Sequence, residues 1–144
     1  MQKRILLVFT STFFVMLTGC VSWSRDIELS SLSQGAPANL QVPRAWTHAA
    51  SKLDLCVALE ASYKRNGKDQ SFVDDTGAES KIVAKGRQAS KLVSIGSRFY
   101  IDQNLVCFEV ADDRGGSPFS SIELSSSNAD LRVNHIYWHW GHYL

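Results

Sequence analysis

The chain has 144 residues, 44% of them hydrophobic and 20% charged, with a formal charge of +1 from 15 basic and 14 acidic side chains. One domain of ordinary globular composition fits that length, and the near-zero charge argues against a nucleic-acid binder or a disordered acidic tail. Three cysteines are an odd number that needs an explanation.

The chain opens with Lys3 and Arg4, then the apolar run Ile5 to Met16. That run is too short to cross a bilayer, which takes about 20 apolar residues, and it reads as a signal peptide. Leu17-Thr18-Gly19-Cys20 follows, and it resembles the lipobox of bacterial lipoproteins. The resemblance implies that residues 1–19 are removed and that Cys20 carries acyl chains, palmitate among them. It also implies a chain tethered to a membrane without spanning it. Several acyl chains hold a protein stably where one does not. Val21 stands where an Asp resembles an inner-membrane retention signal, so the resemblance points to the outer membrane, facing the periplasm. Loss of Lys3 and Arg4 leaves 13 basic residues against 14 acidic, so no attraction to anionic lipid is implied.

Residues 20–43 read as a lipidated N-terminus and spacer, because 29–43 is uncharged and rich in Ser, Ala, Pro and Gly. Residues 44–144 read as the compact domain. Trp46, Ala49, Ala50 and Leu53 recur at helical spacing behind Pro43, which predicts a short helix.

Turn signals then come regularly: Asn66-Gly67, Asp74 to Gly77, Gly96, Asp102 to Asn104, Asp112 to Gly116 and Ser127-Asn128. Between them, 55–63, 81–85, 91–95, 98–101, 105–111, 120–125 and 131–140 suit strands. Short strands at this spacing predict a mostly β fold, a small antiparallel sandwich or barrel. The alternative is α+β, with 79–93 as a helix interrupted by Gly86.

With Cys20 lipidated, Cys56 and Cys107 remain as an even pair, and an oxidising compartment predicts a disulfide. It closes a loop of about 50 residues, worth roughly 3 to 4.7 kcal/mol by chain entropy. Strand alternation puts Leu55 and Val57 on the face opposite Cys56, and Val106 and Phe108 opposite Cys107. The bridge is therefore expected between neighbouring strands on the outer, more polar face.

The C-terminal run is the most unusual: His135, His139 and His142 with Tyr137, Trp138, Trp140 and Tyr143. Four residues of strand separate His135 from His139 by about 13 Å, so a shared zinc is disfavoured, and His139 with His142 is only a weak metal candidate. As a strand, the run puts Ile136, Trp138 and Trp140 on one side and His135, Tyr137 and His139 on the other. Tyr137, Trp138, His139, Trp140 and Tyr143 are candidate partner-binding residues, since Trp and Tyr are enriched at interface hot spots.

Asp75-Thr76-Gly77-Ala78 resembles the active-site signature of retropepsin-like aspartic proteases, which implies an Asp sharing a proton with a twin. Only four residues match, and an Asp-rich turn accounts for them. Asp112 to Gly116 lacks the alternating ligands of an EF-hand, and no G-x-S-x-G, P-loop or H-E-x-x-H is present. No cofactor is implied.

The plan as a whole loosely resembles type VI secretion immunity lipoproteins, with a lipobox, a small β domain and two further cysteines. The resemblance implies a binding protein of the inhibitor or immunity kind with an envelope protein partner, and no enzyme activity. The alternatives are an assembly accessory of the pilotin kind and, more remotely, an aspartic protease-like enzyme.

Overall fold

Apolar residues recurring at a period of two mark the longer strands of the chain, as in Ile82, Ala84 and Gly86 or Val106, Phe108 and Val110. The computed structural model describes residues 23–43, 52–67, 70–100, 104–111 and 117–141. Along them run β1 (Trp23–Ile27), β2 (Ser31–Leu32), β3 (Ala38–Gln41), β4 (Lys52–Leu59), β5 (Lys64–Asn66), β6 (Ser71–Val73) and β7 (Glu79–Ser80). β8 (Ile82–Gln88), β9 (Lys91–Ser94), β10 (Ser97–Tyr100), β11 (Leu105–Ala111), β12 (Ser121–Ser126) and β13 (Leu131–Gly141) follow.

They form three antiparallel sheets. The largest has the order β1-β13-β4-β11-β10, with β2 added beside the start of β13. The second has the order β3-β12-β8-β9, and the third is β5-β6-β7. The core lies between the first two. Leu53, Leu55 and Val57 of β4, Val106, Phe108 and Val110 of β11, and Ile136 and Trp138 of β13 face Ile82 and Ala84 of β8 and Ile122 and Leu124 of β12. Phe72 of the third sheet is also fully buried in this cluster, and a side chain of that size contributes about 2–3 kcal/mol. The fold is the expected antiparallel β arrangement, two sheets packed together.

Local irregularities keep the apolar side chains inward. A register shift in β13 between Val133 and His135 lets Val133 and Ile136 both face the core although they are an odd three positions apart. Gly86 on β8 is buried because the Phe119 ring lies over it, and a Cβ there would stand 2.3 Å from that ring. The β8–β9 hairpin turns through Ala89 and Ser90, with Ala89 at φ 53°.

Side-chain caps tie the sheets together. Asn104 donates from Nδ2 to the carbonyls of Glu60 (3.1 Å) and Tyr63 (2.8 Å), and the Tyr63 hydroxyl accepts the Arg132 N–H at 2.8 Å. The Ser80 hydroxyl oxygen accepts the N–H groups of Ser127, Asn128 and Ala129 at 3.1–3.3 Å, which joins the third sheet to the turn after β12.

Several expectations are corrected. Residues 23–41 are not a spacer. β1 pairs with β13 from Trp23↔Trp140 to Ile27↔Ile136, and β3 pairs with β12, so the compact unit begins well before residue 44. The interrupted helix over 79–93 is instead β7, β8, a tight turn and β9, because Ile82, Ala84 and Gly86 alternate inward at a period of two. Residues 44–51, where the short helix was expected, lie outside the described residues, and Leu53, its last apolar position, belongs to β4.

Candidate functional site

In the first sheet the register aligns the outward-facing side chains into cross-strand rows, because opposed residues share a face. One row reads Asp26, Tyr137, Cys56, Cys107, Arg98, and the next reads Ser24, His139, Asp54, Glu109. These rows lie opposite the face that carries Leu55, Val57, Val106 and Phe108.

Cys56 and Cys107 are directly opposed on β4 and β11 and form a disulfide, S–S 2.04 Å. The bridge joins neighbouring strands on the outer face, as alternation predicts. Both cysteines are nonetheless buried, at 3% and 4% exposure, so the bridge links the two strands on this face while shielded from solvent.

The polar row beside it holds the strongest electrostatics. Glu109 Oε2 accepts Lys52 Nζ at 2.5 Å and Arg98 Nη2 at 2.8 Å. Asp54 lies between Glu109 and His139, and burial pushes its carboxyl above the ordinary range. Lys52, His139 and Arg98 pull in the other direction, and Glu109 adds to the rise. At the far end of the face, His135 Nε2 meets Asp26 Oδ1 at 2.6 Å, and its ring lies 4.7 Å from that of Tyr137. A shallow open depression of about 550 Å³, lined by Leu29, Val133, Asn134 and His135 among others, adjoins that pair.

The aromatic terminal strand divides as alternation predicts. Tyr137 and His139 are half-buried on the outer face, with His135 exposed beside them. Trp138 is not available to a partner, because it is 4% exposed in the core. Trp140 packs against the same core, and its indole N–H is buried without an acceptor among the described residues. Trp138 is therefore corrected from a contact residue to a packing residue, while Trp140 is half-buried. Cys20, His142 and Tyr143 lie outside the described residues, as does the 112–116 loop. Among the described residues, no group of three or more His, Cys, Asp or Glu is placed to hold a metal.

Asp75 lies exposed on the turn between β6 and β7. Its neighbour Asp74 builds that turn, with Oδ1 accepting the Thr76 hydroxyl (2.6 Å), the Thr76 N–H (2.9 Å) and the Ala78 N–H (2.9 Å). The Thr76 hydroxyl above all holds the Asp74 carboxyl below its usual range, and Gly77 closes the turn at φ 86°. The four-residue likeness to a protease signature thus lies on a capped hairpin.

Sequence reasoning found Cys56, Cys107, Tyr137 and His139, and the structure brings them together on one face. It missed Lys52, Asp54, Arg98 and Glu109. Their one sequence signal is that Lys52 and Asp54 alternate with Leu53 and Leu55 on a strand otherwise apolar. No protein family, curated protein or solved structure matches the chain.

Proposed function

We propose that this chain is a lipid-anchored protein of the bacterial outer membrane, facing the periplasm, that works by binding a protein partner as an inhibitor or immunity protein does. The lipobox-like Leu17 to Cys20 supports the anchor and the compartment. The observation that carries the binding reading is the outer face of the first sheet. There Tyr137 and His139 stand half-buried on a surface stiffened by the Cys56–Cys107 bridge. A rigid platform with aromatic side chains loses little conformational freedom on association, and aromatic anchors carry much of the energy of interfaces.

The test is capture from envelope extract with the full chain against the Tyr137→Ala/His139→Ala double variant. The expected result is one partner, retained by the native face and lost at least tenfold in the variant. If the partner is a toxin or hydrolase encoded beside this chain, deleting this chain is lethal only when that protein is present. Capture unaffected by the double variant overturns this face as the binding surface, and an assembly-machine component as the partner overturns the inhibitor reading.

A further inference from the structure

The β8–β9 hairpin ends clear of the rest of the fold. Every residue from 88 to 94 is exposed. Leu92 (43%) and Val93 (40%) are the only large apolar side chains so exposed among the described residues, and they sit side by side on β9, an edge strand of its sheet. Exposed apolar groups that are grouped in this way mark a contact. The charge around them is one-sided. Residues 81–101 hold Lys81, Lys85, Arg87, Lys91 and Arg98 without one Asp or Glu, a segregation that the near-zero net charge conceals. Glu123, which opposes Lys85 from β12, is engaged by Arg87. Lys85 and Lys91 stand exposed beside the apolar pair.

The hairpin end lies where the chain enters the fold. The far end of the two sheets is marked by Ser126, whose N–H donates to the Ser33 carbonyl, next to Leu32, which pairs with Leu131 at the start of β13. At the near end Trp23 pairs with Trp140, Trp140 with Leu53, and Leu53 with Ala111. The Ser117 hydroxyl donates to the Val110 carbonyl and the Ser120 N–H to the Arg87 carbonyl, which ties that end of β11 to the end of β8. Cys20 precedes Trp23 by three residues. Charges act on a surface only within about 8 Å at physiological salt, so the end nearest the anchor is the one whose lysines count.

We propose that the hairpin end at 88–94 is a second membrane contact, resting on anionic phospholipid. Leu92 and Val93 enter the interface, and Lys85 and Lys91 meet the headgroup phosphates. This rests on the anchor reading of Cys20 and goes beyond it, because it fixes which end of the domain faces the bilayer. Each basic residue near an anionic surface contributes about fivefold in affinity. Two of them do not hold a free chain on a membrane, but they orient one that acyl chains already tether.

The experiment places the protein as the cell makes it, acylated at Cys20, in nanodiscs that carry a nitroxide on the lipid headgroup. The discs are of phosphatidylcholine alone or with phosphatidylglycerol added, and broadening of the amide signals is read by NMR. The expected result is broadening at 88–94 that is several-fold stronger in the anionic discs and falls as salt is raised. The turn at 74–77, on the third sheet at the far end, stays sharp. Lys85→Gln/Lys91→Gln removes the preference for anionic discs, and Leu92→Ser/Val93→Ser reduces the broadening in both kinds. All four side chains are exposed, so neither variant disturbs the core. Signals at 88–94 that stay sharp, or that broaden no more than those at 74–77, overturn the proposal. So does broadening that is equal in the two kinds of disc and indifferent to the lysine variant. Hairpin signals that ignore both bilayers but shift with a captured envelope protein mark β9 as a protein-binding edge, and overturn it too. The mass of the purified chain separates the two readings. A silent hairpin on a chain acylated at Cys20 leaves the anchor standing without this contact, and a Cys20 free of acyl groups overturns the anchor and the contact together.

Discussion

Asp54 and Asp74 are pushed in opposite directions by their surroundings, so they oppose each other in the acid range. Burial raises Asp54 above its ordinary 3.8, so the folded state holds its proton longer than the unfolded state. The stability it contributes is fully present below the unfolded value and is lost as pH rises through the folded one. Asp54→Asn is therefore expected to flatten that decline and to stabilise the protein by about 1 kcal/mol at neutral pH, measured by urea unfolding. Asp74 is lowered from 3.8, chiefly by the Thr76 hydroxyl. Its contribution is present above the unfolded value and is lost as pH falls through the folded one. Asp74→Asn should remove that acid-side loss, and a pH series of unfolding midpoints for the two variants separates the effects. Backbone strain adds a third test. Ala89 holds φ 53° in the two-residue turn between β8 and β9, a conformation glycine adopts without a Cβ clash. Ala89→Gly should raise stability by roughly 0.5 kcal/mol. Gly86→Ala should lower it by about 1–3 kcal/mol, since the new Cβ meets the Phe119 ring.

Among the elements, the β4–β11 pair carries both the core and the bridge. Its disulfide spans a sequence separation of 51, so Cys56→Ala/Cys107→Ala should lose roughly 3–4.5 kcal/mol in urea unfolding. Because both cysteines are buried, reduction in the native state should proceed only as fast as the strands open, which a dithiol time course under increasing urea reads directly. The long strands were legible in the sequence because each carries its own alternation. The runs expected at 105–111 and 131–140 correspond closely to β11 and β13, and the two-sided character of β13 follows from its order of aromatic and histidine residues. The short strands were not. β2 has two residues and β5 three, too few for any period to show. β3 lies in an uncharged Ser- and Ala-rich run whose composition suggests a linker, and only its pairing with β12 makes it a strand. The surroundings of Asp54 were equally hidden. They depend on β11 and β13 bringing Glu109 and His139 beside it, contacts between segments far apart in the chain.

For the whole molecule, β13 joins the two ends of the fold. It pairs with β1 and β2 near the start of the chain and with β4 in the middle. A chain beginning at residue 44, the boundary that composition suggests, lacks β1, β2 and β3. It leaves β13 and β12 each with an unpaired edge, and exposed edges of that kind invite association. It is expected to lose cooperative thermal unfolding or to aggregate, whereas a chain beginning at residue 23 keeps a single sharp transition by circular dichroism.

The start of β1 also bears on the proposed anchor. Trp23 is already paired with Trp140, only three residues beyond Cys20. Three residues of fully extended chain reach about 10 Å. Acyl chains on Cys20 would therefore moor the sheet close to the lipid headgroups, with almost no leash. A partner meeting the Tyr137 face would have to come within about one domain's height of the bilayer, and one held far above it would be out of range. Inserting a flexible Gly- and Ser-rich segment between residues 22 and 23 would lengthen the leash without touching the fold. If proximity to the membrane selects the partner, that insertion should leave affinity for a soluble form unchanged and reduce protection against the membrane-associated one.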